Sequence, residues 1–226
     1  MTISEKQASR AWPGTSIPWL RTINEANGAC FADAVCLWLI SLMPVAAVAA
    51  EHHVDQAKEN RVMFVSESPL VDIDVEGGQI DGYAYWEGDG FPPENGQLNG
   101  SELYFEVPLN SLDGGNSMYN RHLKENYLET EKFPYASYKA KITRVEPAPD
   151  SSYAIHAEGV FNIHGRDKPL RVVTTVTTVE NGLKVTCEFT IPLADFDIEV
   201  PSLMFMSLEE KVAVRLEFHT KPAPKQ

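Results

Sequence analysis

Residues 183–191 carry the sequence LKVTCEFTI, in which apolar and polar side chains alternate at every position. The apolar set consists of Leu183, Val185, Cys187, Phe189 and Ile191. Successive side chains of a β-strand point to opposite faces, so this alternation predicts a strand with one buried and one solvated face. Strands of this kind are typical of antiparallel sheets that cover a core from one side.

Other segments of the chain carry the same signal. Residues 101–109, 153–164 and 211–219 alternate as regularly as the first segment. Five segments fit the pattern less regularly, at residues 61–66, 70–75, 78–87, 135–145 and 170–179. The dipeptide Asn181-Gly182 favours a tight hairpin between two of these segments. The sequence thus predicts an antiparallel meander of eight or nine strands.

One segment departs from the strand pattern. Asn116 is a good N-cap, and Tyr119, Leu123 and Tyr127 follow it at intervals of four residues. This spacing predicts an amphipathic helix over residues 117–127, lying against the edge or mouth of the sheet. Eight tilted strands that close on themselves enclose space for one small ligand. We therefore predict an all-β, antiparallel closed barrel of about eight strands with one amphipathic helix.

The composition of the chain excludes some classes of binding partner from our expectations. The chain has 226 residues, 43% of them hydrophobic, which suffices for one barrel or sandwich domain or for two small domains. Its 19 lysine and arginine residues face 32 aspartate and glutamate residues, giving a net charge of -13. A nucleic-acid binder or a protein docked electrostatically on anionic lipid would present a basic face. We expect neither kind of partner.

Residues 1–50 differ from the rest of the chain. Residues 34–50, AVCLWLISLMPVAAVAA, are uncharged and end in small residues suited to signal-peptidase cleavage after Ala50. Pro44 interrupts this segment, which is short for a bilayer, so a cleaved signal peptide is favoured over a permanent anchor. Residues 1–33 show no periodicity, and we expect an over-extended translation start there. The predicted domains are a leader at 1–50 and a barrel at 51–226, with no stable membrane span after cleavage.

The cysteines and histidines indicate no metal site. Two cysteines would leave with the leader, so Cys187 remains alone and is expected to be a buried thiol. His122, His156 and His164 lack the spacing of metal ligands, and the last two are predicted on the solvated face of their strand. We expect no metal and no cofactor.

The middle of the chain resembles a known family. Residues 105–138, FEVPLNSLDGGNSMYNRHLKENYLETEKFPYASY, are similar to a signature of the YceI-like, polyisoprenoid-binding family. Its parts are a Ser-Leu-Asp turn after a strand, an Arg-His-Leu helix and a Lys-Phe-Pro element. Residues 161–172, FNIHGRDKPLRV, and 193–206, LADFDIEVPSLMFM, resemble the second and third landmarks of the family. The resemblance extends over about residues 61–219.

This resemblance carries expectations about fold and function. It implies a lipocalin-like barrel, export to the bacterial periplasm, and binding of a long isoprenoid or other long-chain lipid inside the barrel. It implies no general enzymatic activity. Two local departures are Asn120-Arg121-His122, where many members have Arg-Asp-Glu, and Tyr138, where phenylalanine is common.

The alternation also predicts which side chains face the interior. Together with one helix residue and one residue of the apolar segment 201–206, the candidate ligand-binding residues are Phe64, Ile73, Trp86, Phe105, Leu123, Tyr138, Phe161, Val172, Phe189, Phe205 and Val214. Small inward residues are expected to leave ligand volume: Gly82, Ala84, Ala140, Ala157 and Gly159. Uncharged walls suit an isoprenoid, because a charged metabolite would need paired buried charges. The alternative is a barrel filled by its own side chains.

The helix offers a second candidate contact. Arg121, His122 and Lys124 could meet a polar headgroup at the barrel mouth, while Leu123 and Tyr119 close the apolar side. The alternative is a structural ion pair between Arg121 and a nearby acid such as Asp113, and we favour this alternative.

Two other function classes stay open. The sequence has no nucleophile elbow, zinc-protease motif, phosphate-binding loop or dinucleotide fingerprint. The pair Asp195 and Asp197 is better explained as part of a solvated loop than as an acid–base pair. An isomerase or cyclase that needs one acid in an apolar pocket is one alternative to a binding protein. An envelope interaction module with a filled barrel is the other.

Two segments are candidate lids over the barrel. Residues 88–100 combine glycine and proline with Phe91, which is typical of a mobile surface loop. Residues 201–206, PSLMFM, contain four consecutive apolar residues that one strand face cannot bury together. Some of them face a ligand, the helix or a second copy of the chain, so a homodimer stays open. We expect Phe205 to lie at the ligand portal.

Overall fold

The structure is a computed structural model that describes residues 49–66, 73–88, 90–199, 202–203, 206–207 and 210–224. Of Ile73 and of residues 202–203 and 206–207 it describes the backbone alone. The predicted leader up to residue 48 and the candidate portal residue Phe205 lie outside the described residues.

Strands dominate the part of the chain that the structure describes. In chain order they are β1 Ala49–Val54, β2 Arg61–Ser66, β3 Ile73–Gly77, β4 Asp81–Glu87, β5 Glu102–Pro108, β6 Tyr135–Ala148, β7 Ser152–Ile163, β8 Arg166–Val179, β9 Gly182–Pro192, β10 Ser202–Leu203, β11 Met206–Ser207 and β12 Lys211–Pro222. Strands β10 and β11 form a separate two-stranded pair, and the others belong to one antiparallel sheet. The predicted all-β antiparallel class is confirmed.

The sheet closes into a barrel. Its strand order runs β1-β4-β5-β6-β7-β8-β9-β12, and β12 then pairs with β1 through Val54 opposite Thr220 and His52 opposite Pro222. Eight strands therefore complete a ring, as the sequence predicted. Closure leaves each of these strands with a neighbour on both sides, which satisfies backbone donors and acceptors that an open edge would expose.

A hairpin of β2 and β3 shares the seam of this barrel. Strand β2 pairs with residues 213–217 of β12, on the same edge where β1 pairs further along. Strand β3 then reaches the segment after β5, where Glu76 and Asp113 exchange two backbone hydrogen bonds of 2.9 and 2.8 Å. The barrel wall is thus completed by β1 near one end of β12 and by the hairpin near the other.

Strand β1 is absent from the sequence predictions. It begins at Ala49, opposite Glu87 of β4, and its inward residues His52 and Val54 are buried. One inward position carries a histidine, so the apolar alternation that reveals a strand is missing from this short segment. Cleavage after Ala50, as predicted, would leave Glu51 as the first residue of β1.

The predicted helix is confirmed over residues 117–127. It consists of α1 Ser117–His122 and one π-helical turn Leu123–Tyr127. The Asn116 side chain accepts hydrogen bonds from the N–H groups of Met118 and Tyr119 at 2.9 and 3.2 Å, which is the predicted N-cap. Within the described ranges, no helix combines the length and apolar character needed to cross a bilayer.

Two inward-facing glycines allow neighbouring strands to approach closely. A Cβ on Gly159 would lie 2.1 Å from the Lys139 carbonyl oxygen, and one on Gly82 would lie 2.1 Å from that of Tyr104. These distances are too short for any side chain, so each glycine lets two strands approach. The expectation that these glycines leave ligand volume is wrong. For the alanines the outcome is mixed, since Ala84 and Ala157 line the interior cavity described below and Ala140 is not among its lining residues.

Candidate functional site

The barrel interior contains a cavity lined by inward residues of β2, β4 to β9 and β12, which we call the barrel cavity. It has about 1090 Å³ of atom-free space, part of it continuous with solvent. None of the described lining residues carries a charge. The cavity therefore suits an apolar ligand of substantial size.

Most of the residues predicted from the sequence meet in this cavity. Those that line it are Phe64, Trp86, Phe105, Tyr138, Phe161, Val172, Phe189 and Val214. Leu123 lines a second cavity instead. Only the backbone of Ile73 is described, and Phe205 lies outside the described residues. Their contact with a ligand stays a prediction.

Aromatic rings form much of the wall of the barrel cavity. The ring centroid of Phe161 lies 5.6 Å from that of Phe189 in an edge-to-face arrangement, and that of Phe105 lies 5.1 Å from that of Phe218. Edge-to-face pairs of this kind contribute about 0.5–1.5 kcal/mol beyond the area that they bury. They hold the apolar lining in place without placing a polar group against the cavity.

One end of the barrel cavity is bordered by the loop at residues 88–100. The Phe91 ring packs edge-on against Trp86 and Tyr153, with centroid distances of 6.1 and 5.5 Å. The Trp86 Nε1–H donates to the carbonyl of Gly90 over 2.9 Å, and its ring stacks on His52 at 5.1 Å. Phe91 thus lines the cavity, as a lid residue would, and its role as a lid stays a prediction.

The polar groups of the barrel cavity are held neutral. The Tyr138 hydroxyl donates to the carbonyls of Leu170 and Ala157, at 3.1 and 3.3 Å. Burial raises the pKa of this phenol far above its ordinary value, and the nearby Cys187 adds to the effect. Burial likewise raises the pKa of the Cys187 thiol, which disfavours the reactive thiolate. Cys187 is buried, as predicted.

A second cavity lies against the helix and its π-helical turn, and we call it the helix cavity. It has about 660 Å³ of atom-free space, part of it continuous with solvent. Tyr119, Leu123 and Tyr127 line it from the helix side. Phe64 lines both cavities. Sequence reasoning missed the helix cavity, because its walls come from segments that are distant along the chain.

The predicted ion pair between Arg121 and Asp113 is replaced by another contact. The side-chain amide of Asn120 donates to Oδ1 of Asp113 over 2.7 Å, whereas Arg121 is exposed and forms no ion pair within the described ranges. Arg121 and Asn120 are neighbours on the helix, and only the half-buried Asn120 is turned toward the segment that carries Asp113. A headgroup contact of Arg121 stays a prediction.

The structure confirms only part of what the sequence predicted for the histidines. His156 Nε2 lies 3.0 Å from Oε2 of Glu146 on the outer surface of the barrel. The placement of His164 on a solvated strand face is wrong, because its side chain is 12% exposed and lies beyond the end of β7. Its two ring nitrogens lie 3.0 Å from the Phe196 carbonyl oxygen and from Oε2 of Glu129.

The structure also bears on the predictions about a metal site and about the carboxylate pair Asp195 and Asp197. No three histidine, cysteine, aspartate or glutamate side chains of the described residues lie close enough together to hold a metal ion. Asp195 is exposed, and the carboxylate of Asp197 forms an ion pair of 2.5 Å with Arg166. The pair therefore lies on the surface, away from both cavities, as the solvated-loop explanation predicts.

Comparisons with known proteins give the family. The model of the YceI-like domain matches residues 56–220. No sequence among the curated proteins matches significantly. A polyisoprenoid-binding domain from Saccharophagus degradans is 14% identical, with a TM-score of 0.57 over 76% of this chain and 98% of that one. Burkholderia cenocepacia BcnA is 19% identical, with a TM-score of 0.55 over 76% and 99%.

A third solved structure has the same fold. The Campylobacter jejuni YCEI protein is 12% identical to this chain, with a TM-score of 0.52 over 70% of this chain and 90% of the other. At these identities the solved structures establish similarity of fold, while the family model covers most of the chain, from before β2 into β12. This chain therefore belongs to the YceI-like family.

Proposed function

We propose that this protein binds an isoprenoid or a similar long-chain apolar lipid inside its barrel, to carry or sequester it without catalysis. The observation that carries this proposal is the barrel cavity, whose described lining has no charged side chain. An isoprenoid chain presents hydrocarbon surface and needs no buried counter-charge. Burial of that surface contributes about 25 cal/mol per Å² to binding, before the cost of ordering the lipid.

The cavity also bears on the two alternatives. An interaction module with a filled barrel would use its inward side chains to occupy the interior, whereas here Ala84 and Ala157 border open space. An isomerase or cyclase would place an acid in the pocket, and the described lining supplies only the neutral Tyr138 and Cys187 as titratable groups. The proposal therefore assigns no catalytic residue.

The site of action proposed here is the periplasm. Family membership supports this location, together with the uncharged segment at residues 34–50 and its small residues before Glu51. We propose that cleavage after Ala50 releases a mature chain of residues 51–226. Sequencing the amino terminus of the exported protein tests this, and a mature chain that starts before Val35 would refute it.

Mass spectrometry of lipid extracted from the natively purified protein tests the binding proposal. We expect a long-chain isoprenoid or similar lipid in the wild-type protein. Ala84→Trp places an indole in the barrel cavity and is expected to reduce the retained lipid more than about tenfold, because it occupies ligand volume. Ala84 lines the cavity and is half-buried, so the added ring has space to enter.

A matched tryptophan on the outside of the barrel serves as the control. Thr175 of β8 is exposed, and Thr175→Trp is expected to retain lipid as the wild type does. Equal lipid in both variants, with both folded, would contradict binding in the barrel cavity. A wild-type protein that carries no lipid and takes up none from added isoprenoids would contradict the proposed function itself.

A further inference from the structure

Three aromatic side chains form a row on the outer face of the barrel. His53 of β1 lies directly opposite Tyr83 of β4, and Tyr83 lies directly opposite Tyr104 of β5. The ring centroids of His53 and Tyr83 are 6.2 Å apart, and those of Tyr83 and Tyr104 are also 6.2 Å apart. The neighbouring residues Ala84 and Leu103 line the barrel cavity, so these rings point outward. We call the three residues the outer aromatic row.

Carboxylates of β5 fix the two tyrosines of this row. The Tyr83 hydroxyl donates to Oε1 of Glu102 over 2.7 Å, and the Tyr104 hydroxyl donates to Oε2 of Glu106 over 2.5 Å. The bond to Glu106 is the main cause that raises the pKa of Tyr104 to about 12, so this phenol stays protonated at neutral pH. Both rings are half-buried. Tyrosines held in this way lose little conformational freedom when a partner binds, and tyrosine is enriched at protein interfaces.

Asp81 and Glu106 form a pair of like charges beside the row. They lie directly opposite each other on β4 and β5, an arrangement that destabilises a sheet. Neither carboxylate has a lysine or arginine partner within the described ranges. Lys139, which lies opposite Tyr104, is paired with Glu102 at 3.5 Å. A cation supplied by a partner would therefore relieve this repulsion.

Each of these two carboxylates has one oxygen left for a partner. Oδ1 of Asp81 accepts from the Gly82 N–H over 2.8 Å, and Oε2 of Glu106 accepts from Tyr104. Oδ2 of Asp81 and Oε1 of Glu106 form no hydrogen bond to the part of the chain that the structure describes. Two acceptors on neighbouring strands, next to a tyrosine ring, suit a guanidinium group. This group is planar, donates through a fork and stacks on aromatic faces, whereas the ammonium group of lysine is a point charge.

We propose that the outer aromatic row, together with Asp81 and Glu106, docks an arginine-bearing segment of a partner protein. The net charge of -13 attracts a cationic partner and speeds its encounter with the chain. The same charge opposes docking on an anionic lipid surface, which favours a protein segment as the occupant. The inference goes beyond the proposed function, because none of these residues lines the barrel cavity or the helix cavity.

Binding of three peptides to the purified protein at about 0.15 M salt tests this inference. The peptides are hexaarginine, hexalysine and hexacitrulline, of which the last keeps the shape of arginine without its charge. We expect hexaarginine to bind at least about fivefold more tightly than hexalysine and at least about tenfold more tightly than hexacitrulline. Tyr104→Leu removes the ring, and Glu106→Gln removes a charge. Each variant is expected to weaken hexaarginine binding by about threefold to tenfold.

Glu180→Gln is the matched control for the charge. Glu180 is exposed in the turn between β8 and β9, so the variant makes the same change in charge away from the row and is expected to leave binding unchanged. Circular dichroism verifies that each variant is folded, and Glu106→Gln keeps the test decisive if Tyr104→Leu does not fold. Equal weakening by Glu180→Gln and Glu106→Gln, or equal affinity for hexalysine and hexaarginine, would overturn the inference, because general charge attraction would then explain the binding.

Vesicles of phosphatidylethanolamine and phosphatidylglycerol supply a further outcome. Vesicle binding that Tyr104→Leu abolishes, without a preference for hexaarginine, would assign the row to a membrane and overturn docking of a protein segment. Tyr104→Leu and Glu106→Gln are both expected to retain lipid as the wild type does, because the two side chains lie outside both cavities. Failure of hexaarginine to bind a protein that retains lipid overturns the inference and leaves the proposed function intact.

Discussion

The side-chain amide of Asn120 on helix α1 donates to the carboxylate of Asp113 over 2.7 Å, and the same amide accepts from the Gly114 N–H at 2.7 Å. The backbone of Asp113 is in turn paired with Glu76 of β3. Asn120 therefore connects the helix that bounds the helix cavity to the hairpin that completes the barrel seam.

Asn120→Ala is expected to lower the free energy of unfolding by about 1 kcal/mol, because the Gly114 N–H loses its acceptor. Urea denaturation measures the change. The same variant is expected to raise the pKa of Asp113, which Asn120 chiefly and then the Gly115 N–H hold below its ordinary value. Asn126→Ala is the control, because Asn126 is exposed and its side-chain amide hydrogen-bonds to His122 on the same helical segment. Equal midpoints for the two variants would contradict the connecting role of Asn120.

Acid is expected to destabilise the barrel through His52. Burial lowers the pKa of His52 below its ordinary value of 6.5, and the charge of His53 lowers it further. A histidine whose folded pKa is depressed contributes stability above that ordinary value, and the contribution is lost as the pH falls through the folded pKa. The Tm of the wild type should therefore drop between about pH 8 and about pH 5.

The variants His52→Gln and His53→Gln test whether protonation of His52 causes this drop in Tm. Thermal scans at both pH values should show a smaller drop for His52→Gln, which has no imidazole to protonate at this position. His53 is exposed, so His53→Gln is expected to keep most of the wild-type drop. If His52→Gln keeps the full drop, the destabilisation by acid arises elsewhere.

Gly159→Ala is expected to lower the free energy of unfolding by about 1–3 kcal/mol or more, because overpacking forces backbone shifts. The new Cβ would meet the Lys139 carbonyl oxygen at 2.1 Å and the Ala140 Cβ at 2.4 Å, which pushes β6 and β7 apart. Gly96→Ala is the matched control, since a Cβ there meets nothing within 4 Å. Chemical denaturation measures the free energy of unfolding of both variants. Equal values would contradict the prediction, because they would mean that β6 and β7 can move apart without a loss of stability.

Tyr138→Phe is expected to keep or improve lipid retention while it lowers the free energy of unfolding by about 0.5–1.5 kcal/mol. The variant removes the hydroxyl that donates to the Leu170 and Ala157 carbonyls, and it makes the barrel cavity more apolar. Tyr135→Phe changes an exposed phenol and should alter neither quantity. Lipid loss in Tyr138→Phe alone would show that the hydroxyl contacts the ligand.

Local patterns predicted the parts of the fold that local chemistry determines. Residues 183–191 alternate without interruption and became β9, and the spacing of Tyr119, Leu123 and Tyr127 marked the helix. Residues 135–145 gave a weaker pattern because the pairing of β6 and β7 shifts between Ile142 and Arg144. The shift moves the buried position from Ile142 to Val145, an odd step that breaks the period of two.

The parts of the site that sequence reasoning missed depend on distant segments. His164 adopts a left-handed conformation with a φ of 54°, and so do Glu129 and Asp197 with φ values of 43° and 54°. These residues belong to three different turns, and no local pattern signals that they lie together or that His164 contacts Glu129.

The shared edge of β12 also determines the order in which the chain can fold. Strands β4 to β9 follow one another as neighbours, so each can pair as soon as the next is available. Closure of the barrel must instead wait for β12, because β1 and β2 both pair with this strand, which lies more than a hundred residues further along the chain. Contacts between such distant segments form slowly, because a long loop must close before any contact is gained. We therefore expect docking of β12 to limit the folding rate, after the β4–β9 meander has formed.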